Sequence, residues 1–433
     1  MRTSSFKKDL PRLFLLALLT GLILCPLITV FAKAVITDGR LDLYQAWQSI
    51  ASAENVQTIC NSLLLGVCVV LCSTVIAVPT AFLLARTELK KHSWLDIIFM
   101  IPFMTPPYIA SMGWILFMQK KGLFQQLFPA TGSWSEGFFC FGGQNDITNK
   151  KSYRLVSGKD SRPAQTKLSA VGQVGAWLWV ILVVLIAIGV PHFSIISTSL
   201  IKLRGYGLTA GNFTLDHYKE LLTTPKALAS IWKSLFLAVL SATICSVIGT
   251  AVVVAVRKSK GFFKKTLEGV SLLPEMLPSI VLVIGIMLFW NAIYKVIPLY
   301  NTIWIMVLAY VVLYLPYTVQ YVTSAFTQIN DSLLQAGRVF DGTPAYVFRR
   351  VTLPMISRGI FAGWMMIFII AFRELVTASL IAPPNTLVVS TYINREFEQG
   401  SVSLGMAMAV LCVLITTTAL LVFNRLVGKQ KGA

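Results

Sequence analysis

Two places in the sequence hold ionisable residues where such residues are costly. Arg373 and Glu374 interrupt one apolar run, and Glu275 stands between Pro274 and Pro278 in another. A charge at membrane depth persists only if it pairs or faces water. What these residues can offer is recognition and passage of a polar solute, with Pro274, Glu275, Pro278, Arg373 and Glu374 along a pathway or its gate. In the competing reading, Arg373 and Glu374 sit near the outer interface, pair with loop residues and only anchor the helix. Covalent chemistry has little support. His92, His192 and His217 are scattered, with no acid cluster beside them in sequence, so neither a catalytic nor a metal site is expected. Cys25, Cys60, Cys68, Cys72, Cys140, Cys245 and Cys412 mostly fall inside apolar runs without C-x-x-C spacing. They read as small buried hydrophobes. There is no G-x-x-x-x-G-K-[ST] phosphate loop. The chain is therefore expected to be no enzyme and to bind no cofactor of its own.

A third feature is the stretch QAGRVFDGTPAYVFRRVTLP, Gln335 to Pro354, set between two apolar runs. LLQAGRVF reads as a short amphipathic helix. Asp341-Gly342 permits a sharp turn. Thr343 is placed to cap a second helix with Pro344 at its first position, and Leu353-Pro354 is expected to end that helix. A helix–turn–helix of this kind could be a rigid knob for a cleft on another protein. It could equally rest on lipid headgroups, with Arg349 and Arg350 touching phosphates.

The elements that must position these residues follow from composition. The chain has 433 residues, 56% hydrophobic and only 13% charged, against about 25% charged in soluble domains. The net charge of +19 does not point to nucleic acid, because the basic residues cluster at the ends of apolar runs, as in a membrane protein. A spanning helix needs roughly 20 apolar residues. Nine runs qualify, near 12–33, 62–85, 96–118, 174–200, 233–256, 269–291, 303–326, 359–381 and 402–424. The fold expected is an all-α polytopic bundle of about nine spans, the first of them an uncleaved helix rather than a signal peptide. The run at 269–291, with its two prolines and Glu275, is expected to be irregular or partly water-lined.

Basic residues at the N-terminus, at 257–265, at 338–358 and at the tail put all four on the cytoplasmic side. Both ends then read as inside, yet nine is odd. The clash localises to 119–172, whose later part, KKSYRLVSGKDSRPAQTK, is itself basic.

An internal repeat accounts for it. NSLLLGVCVVLCSTVIAV from Asn61 aligns without gaps on KSLFLAVLSATICSVIGT from Lys233. Each copy ends in a basic loop and leads into a proline-broken run, so that Pro102 and Pro106 meet Pro274 and Pro278. The second copy continues through three more runs and the quoted loop; the first does not. This divides the chain into a partial first bundle, 1–135, of about three spans, a polar basic connector, 136–172, and a second bundle, 173–433, with its loop at 328–358.

The quoted loop resembles the coupling loop of binding-protein-dependent ABC importer permeases, whose pattern is Glu-Ala-Ala, three residues, Gly, nine residues, aliphatic, any residue, Leu-Pro. Gln335-Ala336-Gly337 stands for Glu-Ala-Ala, and Val351, Leu353 and Pro354 close the pattern in register. Two positions depart from it: Gln335 replaces the acidic lead residue, and Asp341 takes the glycine position, with Gly342 one place later. FRELVTASLIAPPNTLVVSTYINREFEQG from Phe372 and NFTLDHYKELL from Asn212 resemble the ferric-iron and phosphonate or sugar-phosphate branch. The resemblance implies a permease subunit of the bacterial inner membrane, importing ferric iron or a small phosphorylated or phosphonate solute. It implies Gln335, Ala336, Gly337, Asp341, Gly342, Pro344, Arg349, Arg350, Leu353 and Pro354 as the contact with a separate cytoplasmic ATPase dimer that uses ATP. Its partners would be that dimer, a periplasmic or lipid-anchored solute-binding protein, membrane lipids and a second copy of the chain. The alternatives are a non-transporting remnant or scaffold, in which the missing spans have abolished the pathway, and a secondary transporter.

Overall fold

A computed structural model describes residues 2–37, 39–92, 94–129, 168–329 and 343–429. Gln335, Ala336, Gly337, Asp341, Gly342, Cys140 and most of the 136–172 connector lie outside the described residues.

In hydrocarbon each backbone N–H and C=O needs a partner within its own segment, so apolar runs of this length close into helices. In chain order these are α1 (Arg2–Leu19), continued through a π-helical turn into α2 (Cys25–Val35), and the small antiparallel pair β1 (Ile36–Thr37) and β2 (Arg40–Leu41). Then come α3 (Leu43–Ala51), α4 (Ala53–Arg86), α5 (Trp94–Met104), α6 (Pro107–Met118), α7 (Leu123–Leu127), α8 (Ala170–Val184) and α9 (Val190–Leu200). The remainder comprises α10 (Asp216–Thr223), α11 (Pro225–Lys258), α12 (Gly261–Met276), α13 (Ser279–Ala292), α14 (Ile303–Thr327), α15 (Pro344–Val347), α16 (Leu353–Phe372), α17 (Val376–Ile381), α18 (Val389–Glu398) and α19 (Val402–Lys429).

Seven helical segments among the described residues are long and apolar enough to cross a membrane: Leu10–Val35, Ala53–Arg86, Ala170–Leu200, Pro225–Lys258, Ile303–Thr327, Ala345–Phe372 and Val402–Phe423. Two pairs pass only together and are sharply bent, α5 with α6 by 91° and α12 with α13 by 110°. The nine expected runs are thus seven continuous helices and two broken ones. The chain is an all-α polytopic bundle.

The repeat has a structural counterpart. Ala53–Arg86 and Pro225–Lys258 are both 34 residues long and begin and end 172 positions apart. Each is followed by a helix pair broken at a matched proline. Pro106 and Pro278 stand at the N-caps of α6 and α13 with nearly the same backbone, φ −56° and ψ 137° against φ −57° and ψ 131°. Proline has no N–H to continue a helix and disfavours helical backbone in the residue before it, so the break recurs where the proline recurs. The two copies differ in burial. α11 buries one face along its length, against α14 and α16. Thr80 is the buried residue of α4, and Leu63, Leu64, Val67, Val70, Leu71 and Val75 are exposed. The first copy's sequence ends before counterparts of α14 and α16.

By contact, the described residues group into two compact units that do not follow chain order. One comprises 1–43, 222–394 and 418–433. Its core is α11, α14 and α16, with α13 against α2 and α17, and α12 against α14. Close approach there depends on glycine. A Cβ on Gly359 would lie 2.5 Å from Ala325 Cβ and 2.8 Å from Tyr321 O, and one on Gly249 would lie 2.6 Å from Thr318 Cγ2. Small residues at such crossings let helices pack without a solvent-driven hydrophobic term. The other unit comprises 44–221 and 395–417. In it α6 packs on α9, and α4 on α8, where Trp179 Nε1 donates to Thr80 Oγ1 at 3.0 Å.

Two sequence expectations are corrected. The run at 359–381 is not one helix: α16 ends at Phe372 and α17 begins at Val376, so the apolar crossing is Ala345–Phe372. And Leu353-Pro354 does not end the second loop helix. α15 continues through a π-helical turn, Phe348–Thr352, directly into α16. A proline inside an α-helix loses one i→i−4 bond and clashes with the carbonyl at i−4. The wider turn, with Leu353 N donating to Phe348 O, lets the chain pass Pro354 without stopping. Thr343 does cap the helix, accepting from Tyr346 N at 3.3 Å.

Candidate functional site

The charged residues singled out in sequence converge on one face of α14. That face carries Tyr310, Tyr314, Tyr317 and Tyr321, spaced four, three and four residues apart, so they line one side of a helix. Neighbouring rings stand 5.9 Å (Tyr310–Tyr314) and 6.2 Å (Tyr314–Tyr317) apart. On this face Tyr314 O–H donates to Glu374 Oε2. Nearer the C-terminal end of α14, Gln320 Nε2 donates to Glu275 Oε2. Tyr317, half-buried between them, lies within electrostatic reach of Glu275, Glu374 and Arg373 together.

Glu374 is only 4% exposed, and its position follows from the break after α16. The helix loosens at its end, with Arg373 N bonded to Ile370 O and Glu374 N to Ala371 O. The carboxylate then turns onto the start of α17: Thr377 N and Thr377 Oγ1 both donate to Glu374 Oε1 at 3.2 Å. Ser390 Oγ donates to the Glu374 carbonyl at 2.5 Å, and Val389 N donates to Ser234 Oγ at 2.8 Å, which ties α18 to this break and to α11. A buried carboxylate is tolerable when its lone pairs are filled in this way. Glu374 therefore joins three helices. Arg373, at the same break, is half-buried.

Glu275 has the opposite environment. It lies one residue before the end of α12, next to the 110° bend, and is exposed, as is Pro278, whereas Pro274 is buried. The break frees the helix end, and the carboxylate stands at an accessible edge of the tyrosine face. The result is a polar strip on an apolar scaffold, with an accessible carboxylate, phenol and amide groups, an arginine and a buried carboxylate in succession. It offers hydrogen-bond donors and acceptors of both charge signs to a small polar solute. The sequence reading took 303–326 as a plain apolar run and missed the tyrosines. Their four-three-four spacing was the available signal.

Of the loop residues, Arg349, Arg350, Leu353 and Pro354 are exposed, the arginines within the π-helical turn, and Pro344 begins α15. Among the histidines, His192 of α9 bonds Thr105 at the α5–α6 break through Nε2, at 2.8 Å, and Ile188 O through Nδ1, at 2.8 Å. It serves that bend. Among the described residues no three His, Cys, Asp or Glu side chains cluster to hold a metal.

Comparison with known proteins gives this geometry a context. The chain is 21% identical over 243 residues to the spermidine/putrescine transport system permease protein PotC of Haemophilus influenzae, spanning 56% of this chain and 92% of that one. It is 26% identical over 233 residues to the trehalose transport system permease protein SugB of Mycobacterium tuberculosis, spanning 52% and 84%. It is 24% identical over 246 residues to a 2-aminoethylphosphonate transport system permease protein PhnV of Salmonella typhimurium, spanning 55% and 89%. Among solved structures it is similar to a bacterial ABC transporter involved in the import of the acidic polysaccharide alginate, at a TM-score of 0.49 and 17% identity over 59% of this chain and 94% of that one. The sequence model of the binding-protein-dependent transport system inner membrane component matches residues 247–431. The matched segment is the one that carries Glu275, the tyrosine face and the Arg373–Glu374 break.

Proposed function

We propose that the chain is the permease subunit of an ATP-driven importer in the bacterial inner membrane, with both termini cytoplasmic. The observation that carries this reading is the polar strip on α14, which lies wholly inside the segment matching the family. Solute delivered by a binding protein on the far side passes along Glu275, Gln320, Tyr317 and Arg373. Glu374 holds the break between α16 and α17 on which that path depends. Hydrolysis belongs to a separate cytoplasmic ATPase dimer. The loop at 328–358 couples to it, with Arg349 and Arg350 as exposed contacts and with Gln335, Ala336, Gly337, Asp341 and Gly342 completing the pattern. Because α15 runs without a stop into α16, a push on the loop reaches the Arg373–Glu374 break along one continuous helix.

The relatives are named for spermidine or putrescine, trehalose and 2-aminoethylphosphonate. Of the solutes suggested by sequence, ferric iron and a small phosphorylated or phosphonate compound, the second fits the strip better. An accessible carboxylate and an arginine on one face suit a solute with both a cationic and an anionic group.

A specific observation favours a second reading. Among the described residues, the exposed face of α4 lacks the partners its repeat counterpart has, as a non-transporting remnant would. One experiment decides between them: purification of the tagged chain from native membranes in mild detergent, with the ATPase counted and uptake of 2-aminoethylphosphonate, ferric citrate and putrescine compared in vesicles. The permease reading expects two ATPase subunits with two copies of the chain, and ATP-dependent uptake. Absence of any ATPase overturns it in favour of the remnant. Uptake that persists without ATP overturns it in favour of a secondary transporter.

A further inference from the structure

An apolar cleft of about 640 Å³ lies between α1, α11 and α16, remote in sequence from the polar strip. Its walls are aliphatic and aromatic, with Val254, Phe361 and Trp364 prominent, but two features are not those of a plain lipid-facing groove. Arg12 and Lys258 stand together at one end, where Arg12 Nη2 donates to Lys258 O at 2.8 Å. Phe348 also lines the cleft, and the exposed Arg349 and Arg350 follow it in sequence.

We propose that this cleft binds one anionic phospholipid, its phosphate at Arg12 and Lys258 and an acyl chain along α11. Charge selects the head: basic residues beside a transmembrane cleft attract anionic lipid, each contributing about a fivefold preference. At about 640 Å³ the cleft falls within the roughly 300–1,000 Å³ of small-molecule sites, room for one acyl chain with the rest of the lipid outside it.

The test is native mass spectrometry of the full chain in mild detergent, titrated with palmitoyl-oleoyl phosphatidylglycerol or with the matching phosphatidylcholine. The wild type should retain one phosphatidylglycerol per chain, with a preference of about 25-fold over phosphatidylcholine from two cations. The double variant R12Q/K258Q should bring that preference to within about twofold, and A251F, which fills the cleft, should lower retention of both lipids at least about fivefold. Equal retention of the two lipids by the wild type overturns the proposal, as does undiminished retention by A251F. Should A251F fail to fold, quenching by brominated phosphatidylglycerol decides. The proposal expects quenching that W364F diminishes and R12Q/K258Q weakens, and quenching unchanged in both variants overturns it. An A251C chain that forms disulfide-linked dimers in the absence of lipid, beyond those the parent chain forms through Cys60, Cys68 and Cys72, also overturns it, because the cleft would then belong to a second copy.

Discussion

Replacing Glu374 should separate its architectural role from a passive one, and the size of the effect can be worked from its bonds. The carboxylate accepts from Tyr314 O–H, Thr377 N and Thr377 Oγ1. The two Thr377 bonds span three residues and can form in any state that keeps the local turn. The Tyr314 bond spans 60 residues and exists only when α14 and α16 are packed. A double-mutant cycle of Tyr314→Phe and Glu374→Gln therefore isolates one tertiary bond. Side-chain hydrogen bonds between membrane helices average about 0.6 kcal/mol, with a maximum near 1.7. Both partners here are buried and the acceptor is a carboxylate, which places the expected coupling at the upper end, about 1–1.7 kcal/mol. Glu374→Ala, which strands three donors, should cost more than either single change, about 2–4 kcal/mol. The assay is unfolding of the purified chain in mixed micelles with rising dodecyl sulfate, read by labelling of Cys245 and Cys412, whose thiols are buried and not in disulfides. A coupling under about 0.3 kcal/mol, or a Glu374→Ala no worse than Tyr314→Phe, would refute the reasoning.

Further outcomes are expected from the same structure. Gly359→Leu should lose about 1–3 kcal/mol of stability from the clash with Ala325 and Tyr321. Gly269→Ala, where a Cβ meets nothing within 4 Å, should be neutral or gain under about 1 kcal/mol; the dodecyl sulfate midpoint reads both. Glu275→Gln should slow ATP-dependent uptake about tenfold, the worth of one charge-assisted contact. Its unfolding midpoint should stay within about 0.5 kcal/mol, because the residue is exposed. Reversing both loop arginines, Arg349→Glu with Arg350→Glu, should cut co-purification of the ATPase at least about tenfold without reducing the amount of inserted protein; equal capture would count against docking at this loop. Finally, Ser157→Cys should resist an impermeant periplasmic thiol reagent until the membrane is opened, because its basic surroundings favour the cytoplasm.

Much of the architecture was legible in the sequence because lipid leaves few options. With no water to satisfy the backbone, an apolar run of sufficient length becomes a helix whatever its neighbours are. That is why each of the nine runs has a helical counterpart. The same logic made the proline-broken runs readable: Pro106 and Pro278 act through their own missing N–H groups, and both sit at sharp bends. The repeat was visible for a similar reason, since basic loops and prolines are local signals that survive while apolar side chains drift. The residues Glu275, Arg373 and Glu374 were identified because a charge in an apolar run is anomalous by itself.

Tertiary structure decided what sequence spacing could not. Hydropathy placed a span at 359–381, but the helix stops at Phe372 because a carboxylate from the next turn, a tyrosine 60 residues away and Ser390 all bond there. It runs on through Leu353-Pro354 because a π-helical turn makes room for the proline. The four tyrosines of α14 sit unremarked inside an apolar run, and they share a face with carboxylates only when Glu275 and Glu374 arrive from two other helices. Residues 1–43 precede the first copy in sequence yet pack with the second, since Gly285 admits the backbone at Pro26 within 2.8 Å of where a Cβ would stand. Local chemistry, repeated along the chain, determined which segments are helices and where they bend. Which helices meet, and therefore which polar groups share a site, depended on close approach between distant residues, a property no stretch of sequence carries alone.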